Sequence, residues 1–245
     1  SYEPPPMKSS LGFDPRDIPW IVQEGQWPAL PVEVLQAAAL KRVFENPPEW
    51  TPEVKKEPAL AIRPPKAAAV LVPIVLRGPQ GSDPHLLLTQ RTHHLSSHAG
   101  QIAFPGGKVD HEDASIEHTA LREAEEEVGL APHFVEILGT LPSYVTGTSF
   151  HITPVVGLVS PNHVITPNPQ EVDAVFEVPL TYLMNPINHR YHQWQRDGIS
   201  RYWYSMPYLE SSIDPSSDPI ERYIWGATAG MIRNFYRFIL AANSL

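Results

Sequence analysis

The chain contains no cysteine among its 245 residues. Disulfides, thiolate nucleophiles and thiolate zinc sites are therefore excluded, and the composition is compatible with a reducing cytoplasm, the expected compartment. Long apolar runs are missing too. Nothing approaches the roughly 18 apolar residues of a membrane helix, and the most apolar stretch, residues 67–76, is interrupted by Pro73. No membrane span is expected. Positive charge is scarce, with 18 Lys and Arg against 27 Asp and Glu and a formal net charge of −9. This balance argues against a sequence-independent nucleic-acid binder, which needs a basic footprint. Three catalytic patterns are also absent. No G-x-S-x-G marks a serine nucleophile, Gly106-Gly107-Lys108 lacks the earlier glycine and the Ser/Thr of a Walker loop, and His93, His94, His98, His111 and His118 show no HExxH or similar zinc spacing.

Proline, by contrast, is abundant and unevenly placed: 16 of the 28 prolines lie in residues 1–84. Residues 1–30 are proline-rich and aperiodic and are expected to form an extended surface arm. Residues 31–44 read as a helix stopped by Pro47-Pro48, and residues 46–66 as a linker. Together residues 1–66 form an N-terminal extension, and residues 67–245 the globular domain. Strands are expected over 67–76, 85–91, 100–105, 134–141, 151–159 and 172–178. Residues 190–194 and 201–205 suggest a hairpin around Asp197-Gly198, and residues 220–240 a long C-terminal helix. Mixed strands with two substantial helices suggest an α/β sandwich.

The acid is concentrated. Residues 108–130 hold Asp110, Glu112, Asp113, Glu117, Glu123, Glu125, Glu126 and Glu127 against only Lys108 and Arg122. Residues 115–128 read as a helix, with Asp113 as the expected N-cap and Gly129 just past the C-terminus. At about 100° per residue, Glu127 lies near 40° from Glu123 and Glu126 near −60°, whereas Glu125 points away and reads as a solvated charge. Like charges at this spacing repel by roughly 0.2–0.5 kcal/mol per pair, so three carboxylates on one face suggest a cation to hold. Oxygen ligands select Mg²⁺ or Mn²⁺, with Gly106-Gly107 allowing backbone carbonyls close to the ion. Taken alone, EAEEE is more commonly a solvated glutamate face; the preceding Gly106-Gly107, the spacing to Arg122-Glu123 and the closing Val128-Gly129-Leu130 favour the metal site instead.

The run Arg122-Glu123-Ala124-Glu125-Glu126-Glu127-Val128-Gly129-Leu130 resembles the second half of the Nudix box, which ends R-E-apolar-x-E-E-x-G-apolar. The first half departs from the common form. Gly107 stands fifteen residues before Arg122, where fourteen is usual, and Asp113 replaces the usual glutamate. Upstream, Leu87-Leu88-Thr89-Gln90-Arg91, Gly100 and Phe104-Pro105-Gly106-Gly107 resemble the segment before the box in the coenzyme A diphosphatases of that superfamily. Thr92 stands where Ser or Ala is usual, and Ser96 where an arginine is usual.

The resemblance implies a Nudix-type α/β/α sandwich with a mixed sheet and the N-terminal extension. It also implies metal-dependent hydrolysis of a diphosphate joined to a nucleoside. Glu123, Glu126, Glu127 and Gly107 would hold the metal. Glu123, Glu126, Arg122 and Glu171 would form the catalytic group, with Glu171 equally readable as a charged strand entrance. Arg91, Lys108 and His98 are the substrate-binding candidates, and for Arg91 a salt bridge to the acidic helix is the competing reading. Tyr191, Trp194, Tyr202, Trp203 and Tyr204 read as hairpin packing or as an adenine-stacking group. The expected partner is a small nucleotide: coenzyme A or a derivative, with ADP-ribose or NADH as the alternative. A non-catalytic Nudix-fold binding module is the reading from another class. A homodimer is one assembly the extension could serve.

Overall fold

The computed structural model describes residues 13–23, 27–57, 64–93 and 100–243. The first half forms β1 (Trp20–Ile21), α1 (Ala37–Glu45), β2 (Lys66–Val75), β3 (His85–Arg91), β4 (Ile102–Ala103), β5 (Gly106–Lys108) and α2 (Ile116–Val128). The second half forms β6 (Val135–Thr140), β7 (Tyr144–Val145), β8 (Phe150–Val159), β9 (Val172–Pro179), α3 (Leu180–Leu183), β10 (Arg190–Arg196), β11 (Ile199–Glu210), β12 (Ile220–Trp225) and α4 (Gly226–Asn243).

The larger sheet runs β4-β3-β2-β8-β6, with β5 on β2, β7 on β8 and β9 on β3. It is mixed, because β2 and β8 pair in parallel while the other pairs are antiparallel. Alternation along β2 explains how it is covered. Ala69, Leu71 and Val75 face the cluster containing Ala120, Ala124 and Val128 of α2. Val70, Val72 and Ile74 face the opposite cluster, with Leu35 and Leu40 from the N-terminal region and Phe235 and Ile239 of α4. A strand covered on both sides loses its polar face, hence the unbroken apolar run in the sequence. Each fully buried leucine here, such as Leu71 or Leu86, contributes about 1.5–3 kcal/mol of burial. The result is the expected α/β sandwich.

The helix ends obey local rules with one correction. Gly129 takes φ +71 and its N–H bonds the Glu125 carbonyl, as a C-terminal glycine should. The N-cap is Ser115, whose Oγ accepts the His118 N–H at 3.1 Å, and not Asp113. Asp113 is drawn instead to Arg122, described below. At the Asp197-Gly198 turn both residues have positive φ, +52 and +76, and join β10 to β11 as the hairpin expected there.

Other expectations need revision. The strand read over residues 100–105 is shorter, Ile102–Ala103, and Gly106–Lys108 form a separate strand, β5, on β2. Residues 220–225 are not helical: they pair with β11 from Ser205–Trp225 to Glu210–Ile220, and the helix begins only at Gly226. Residues 31–44 split into a 3₁₀ turn, Val32–Leu35, and α1, because Gln36 is extended. Among its described residues, part of the N-terminal arm joins a sheet. Trp20 and Ile21 extend the smaller sheet, β1-β10-β11-β12. The region read as a linker is anchored to α4 as well: Glu53 accepts Arg233 Nε at 2.8 Å and Arg237 Nη1 at 2.9 Å and also bonds the Tyr204 hydroxyl. No helix among the described residues is long and apolar enough to cross a membrane.

His189, 1% exposed, belongs to this anchor. Its Nε2 meets the Leu183 carbonyl at 2.6 Å, and its Nδ1 faces Arg233 Nη1 at 2.9 Å, which fixes a neutral ring with the proton on Nε2. Burial, helped by the charge of Arg233, lowers its pKa to about 4. The unfolded chain therefore binds a proton here that the folded chain refuses. Stability is complete above the unfolded value near 6.5 and is lost as pH falls toward 4, by about 3 kcal/mol in all. Urea unfolding measured from pH 7 to pH 4 should show this slope, and His189→Gln should flatten it.

Candidate active site

β5 carries Gly106 and Gly107 opposite Val70 and Ala69 of β2, and α2 packs over this corner. Neither glycine has space for a side chain. A Cβ on Gly106 would stand 2.4 Å from the Ala69 carbonyl oxygen, and one on Gly107 would stand 2.5 Å from the Glu123 carboxyl carbon. Glycine at 107 is therefore what allows the Glu123 carboxylate to rest against strand backbone.

Arg122 ties the loop, the strand and the helix together. Its Nε and Nη2 donate to the two Asp113 oxygens at 2.8 and 2.9 Å, and Nη2 also reaches the Lys108 carbonyl at 3.2 Å. Its Nη1 donates to Glu123 Oε1 at 3.1 Å and to Glu126 Oε2 at 3.2 Å. The Asp113 side chain is only 2% exposed and also accepts the Thr119 hydroxyl and the Asp110 N–H. Arg122 foremost among these donors holds the Asp113 carboxyl well below the usual carboxylate range, and Asp113 in turn raises the guanidinium pKa. Replacing the usual glutamate with the shorter Asp113 is thus compatible with a complete two-point pairing.

Glu127 is treated differently. It is 3% exposed; its Oε2 accepts the Gly106 N–H at 3.2 Å, and its Oε1 has no partner. Burial pushes its pKa up to about 7; the Gly106 N–H and Arg91 oppose the rise, and Glu171 and Glu123 add to it. The Glu123 pKa is raised too, first by burial, with Arg122 opposing and the charges of Glu126 and Glu171 adding. A buried carboxyl short of donors and flanked by like charges fits a hard cation, which supplies the missing positive charge.

A cavity of about 480 Å³ brings many of the expected residues together. Glu123, Glu127, Glu171, Gly107, Arg91 and Lys108 all line it. Lys108 Nζ lies 5.7 Å over the Phe150 ring. Glu126 is outside the lining, bonded to Arg122 and 58% exposed. Glu125 is exposed, as its helical angle requires. Among the described residues, no three His, Asp or Glu side chains already form a metal-ligating group. His98 and Ser96 lie outside the described residues. Glu171 is fixed through its backbone, whose carbonyl accepts the Thr92 N–H at 3.1 Å.

Of the rest of the wall, the sequence pointed only to Tyr202 and Trp203. Glu57, from the supposed linker, accepts the Tyr144 hydroxyl at 3.0 Å and the Gly147 N–H at 2.8 Å. Arg201, Tyr202, Trp203 and Trp225 reach the cavity from the smaller sheet, and Gly226–Thr228 from the start of α4. The aromatic run had been visible in the hairpin; Arg201 beside it carried no local signal.

Comparison with known proteins gives a consistent outcome. The NUDIX domain family model matches residues 65–218. The uncharacterized Nudix hydrolase NudL of Shigella flexneri serotype 5b (strain 8401) is 44% identical over 186 residues, covering 74% of this chain and 85% of that protein. NudL of Escherichia coli O1:K1 / APEC is 46% identical over 172 residues, covering 69% and 80%. A Nudix hydrolase of solved structure from M. smegmatis, RenU, is 24% identical over 49% of this chain and 73% of its own, with a TM-score of 0.41.

The pairing of Arg122 with Asp113 makes a prediction about the corner itself. Arg122→Lys keeps the charge but not the two-point geometry, and should lower the thermal midpoint by roughly 2–4 °C. Asp113→Asn should do the same, and the double variant should lose little more than either single one. Losses that simply add would show that the two side chains act independently.

Proposed function

The chain belongs to the Nudix family, and from that premise we propose that it hydrolyses coenzyme A or its derivatives to 4′-phosphopantetheine and adenosine 3′,5′-bisphosphate. The reaction class is the family's own: hydrolysis of a pyrophosphate bond in a nucleoside diphosphate-linked compound. The observation that carries the reading is Glu127, buried and short of donors, in one cavity with Glu123, Glu171, Arg91 and Lys108. The choice of coenzyme A is supported by the segment before the box, whose Arg91, Phe104, Gly106 and Gly107 also line the cavity. Thr92 is 1% exposed and outside that lining, so its departure from the usual residue does not by itself argue against coenzyme A. The serine at 96 favours the second reading, ADP-ribose, NADH or a related dinucleotide.

In this reading Glu123, Glu126 and Glu127 hold Mg²⁺ or Mn²⁺ together with the Gly107 carbonyl. The ion, once bound, neutralises the diphosphate and makes a water easier to deprotonate. Glu171 accepts the proton of the attacking water, its place set by the Thr92 bond to its carbonyl. Arg122 is a positioning residue: it orients Glu123 and Glu126 and does not itself face the cavity. Arg91 and Lys108 meet the non-bridging oxygens of the diphosphate. Residues 67–245 form the hydrolase domain, and residues 1–66 an extension that contributes Glu57 to the cavity wall.

The test is a panel of coenzyme A, ADP-ribose and NADH with Mg²⁺ and with Mn²⁺, products identified by mass. Coenzyme A should give the highest kcat/KM. Glu126→Gln and Glu127→Gln should each lower kcat by roughly 100-fold or more while the protein stays folded. Undiminished hydrolysis in both variants would overturn the mechanism, and a clear preference for ADP-ribose or NADH would overturn the substrate. No turnover of any compound would favour a binding module.

A further inference from the structure

The cavity has a second polar wall that the hydrolysis just described does not use. We propose that this wall receives the non-reacting nucleoside end of the substrate, with Arg201 on a phosphate monoester of that nucleoside and Trp203, Tyr202 and Trp225 against its base. The inference rests on the hydrolase reading above and narrows its substrate class to diphosphates whose nucleoside carries an additional phosphate.

Unsatisfied buried atoms concentrate at this cavity. Among the described residues, five buried side-chain polar atoms lack a partner, and four belong to residues lining it: Arg91 Nε, Glu127 Oε1, Arg201 Nε and Trp203 Nε1. Buried polar atoms are ordinarily paired, so such a concentration marks a surface shaped for something that binds there. Arg91 and Glu127 belong to the reacting end. Arg201 and Trp203 come from β11 of the smaller sheet and have no role in the chemistry.

Charge points to the same wall. Arg16, Arg77, Arg122, Arg222, Arg233 and Arg237 are all partly or fully buried and all bond a carboxylate. Arg190 lies over the Trp20 ring. Arg201 is partly buried with neither. A guanidinium left so in a cavity suits a planar or tetrahedral anion, and phosphate accepts its fork with two oxygens.

An aromatic surface lines the same wall as Arg201. Trp203 is 8% exposed, stacked on His192 at 5.4 Å with an interplanar angle of 7°, and edge-on to Trp225 at 6.4 Å. It is therefore held rigidly, while its Nε1–H still needs an acceptor. A nucleobase supplies both a face and acceptor nitrogens. A carbonyl of an acyl or pantetheine arm could accept from Trp203 Nε1, but such an arm brings neither an anion for the Arg201 guanidinium nor a flat ring for the indoles, which is why the nucleoside end is placed here.

The experiment compares two pairs that differ by one monoester. Kinetics are measured for coenzyme A and for coenzyme A lacking its ribose 3′-phosphate. Binding is measured by calorimetry for adenosine 3′,5′-bisphosphate and adenosine 5′-monophosphate. Wild type should prefer the phosphorylated member of each pair by roughly 10- to 100-fold. Arg201→Gln should erase most of that preference, acting through KM more than kcat, and Arg201→Lys should restore part of it. Thermal midpoints confirm that the variants are folded. A wild type without preference, or a variant that loses both members of each pair equally, overturns the proposal. Arg201-dependent binding of the bisphosphate without any turnover of coenzyme A would sustain the subsite and sink only the hydrolase reading.

Discussion

Carboxylates packed on one helix beside a cavity repel one another, and the guanidinium of Arg122 is what keeps Glu123 and Glu126 in place. It neutralises Glu123 and Glu126 from the same nitrogen and uses its other two to fasten the helix to Asp113 and to the strand carbonyl of Lys108. One side chain thus sets the helix against the strand that carries Gly107. Glu127 has only the Gly106 amide and the charge of Arg91 to help it, and burial still pushes its pKa up to about 7. The protein compensates the outer carboxylates and leaves Oε1 of the innermost without a partner, which is the opening the proposed cation would fill.

Much of this corner could be read from the sequence because its causes are local. The helix phase put Glu125 outside and Glu123 and Glu127 together, and Gly129 and Asp197-Gly198 announced their positive-φ turns. The doubly buried β2 was visible as an apolar run. What failed was set by partners far along the chain. Ile220, Tyr223 and Ile224 repeat as a helix would, yet antiparallel pairing with β11 makes them a strand. Asp113 is a good cap residue, but Arg122 nine residues later claims it and Ser115 caps instead. Residues 46–57 look like a linker by composition, and only Arg233 and Arg237, about 180 residues away, turn Glu53 into an anchor.

The site itself divides in the same way. Its acidic half lies within one contiguous segment and carries a recognisable pattern. Its other half is assembled from β11, the end of β12 and the start of α4, so beyond the hairpin aromatics Tyr202 and Trp203 no local pattern revealed it. The anchor formed by Glu53, Tyr204 and His189 around Arg233 explains why these pieces stay registered: Tyr204 is the neighbour of Trp203 on β11, and Arg233 lies on α4. The proline-rich extension therefore braces, through Glu53, the sheet that completes the cavity.

The central claim is that α2 holds a divalent cation through its buried carboxylate. It is tested most directly by titrating Mn²⁺ into the protein and into Glu127→Gln and Glu125→Gln, with free Mn²⁺ followed by electron paramagnetic resonance. The account predicts saturable binding to wild type, the same binding to Glu125→Gln, and a loss of roughly 10- to 100-fold or more in affinity for Glu127→Gln. Equal affinity in all three proteins would contradict it.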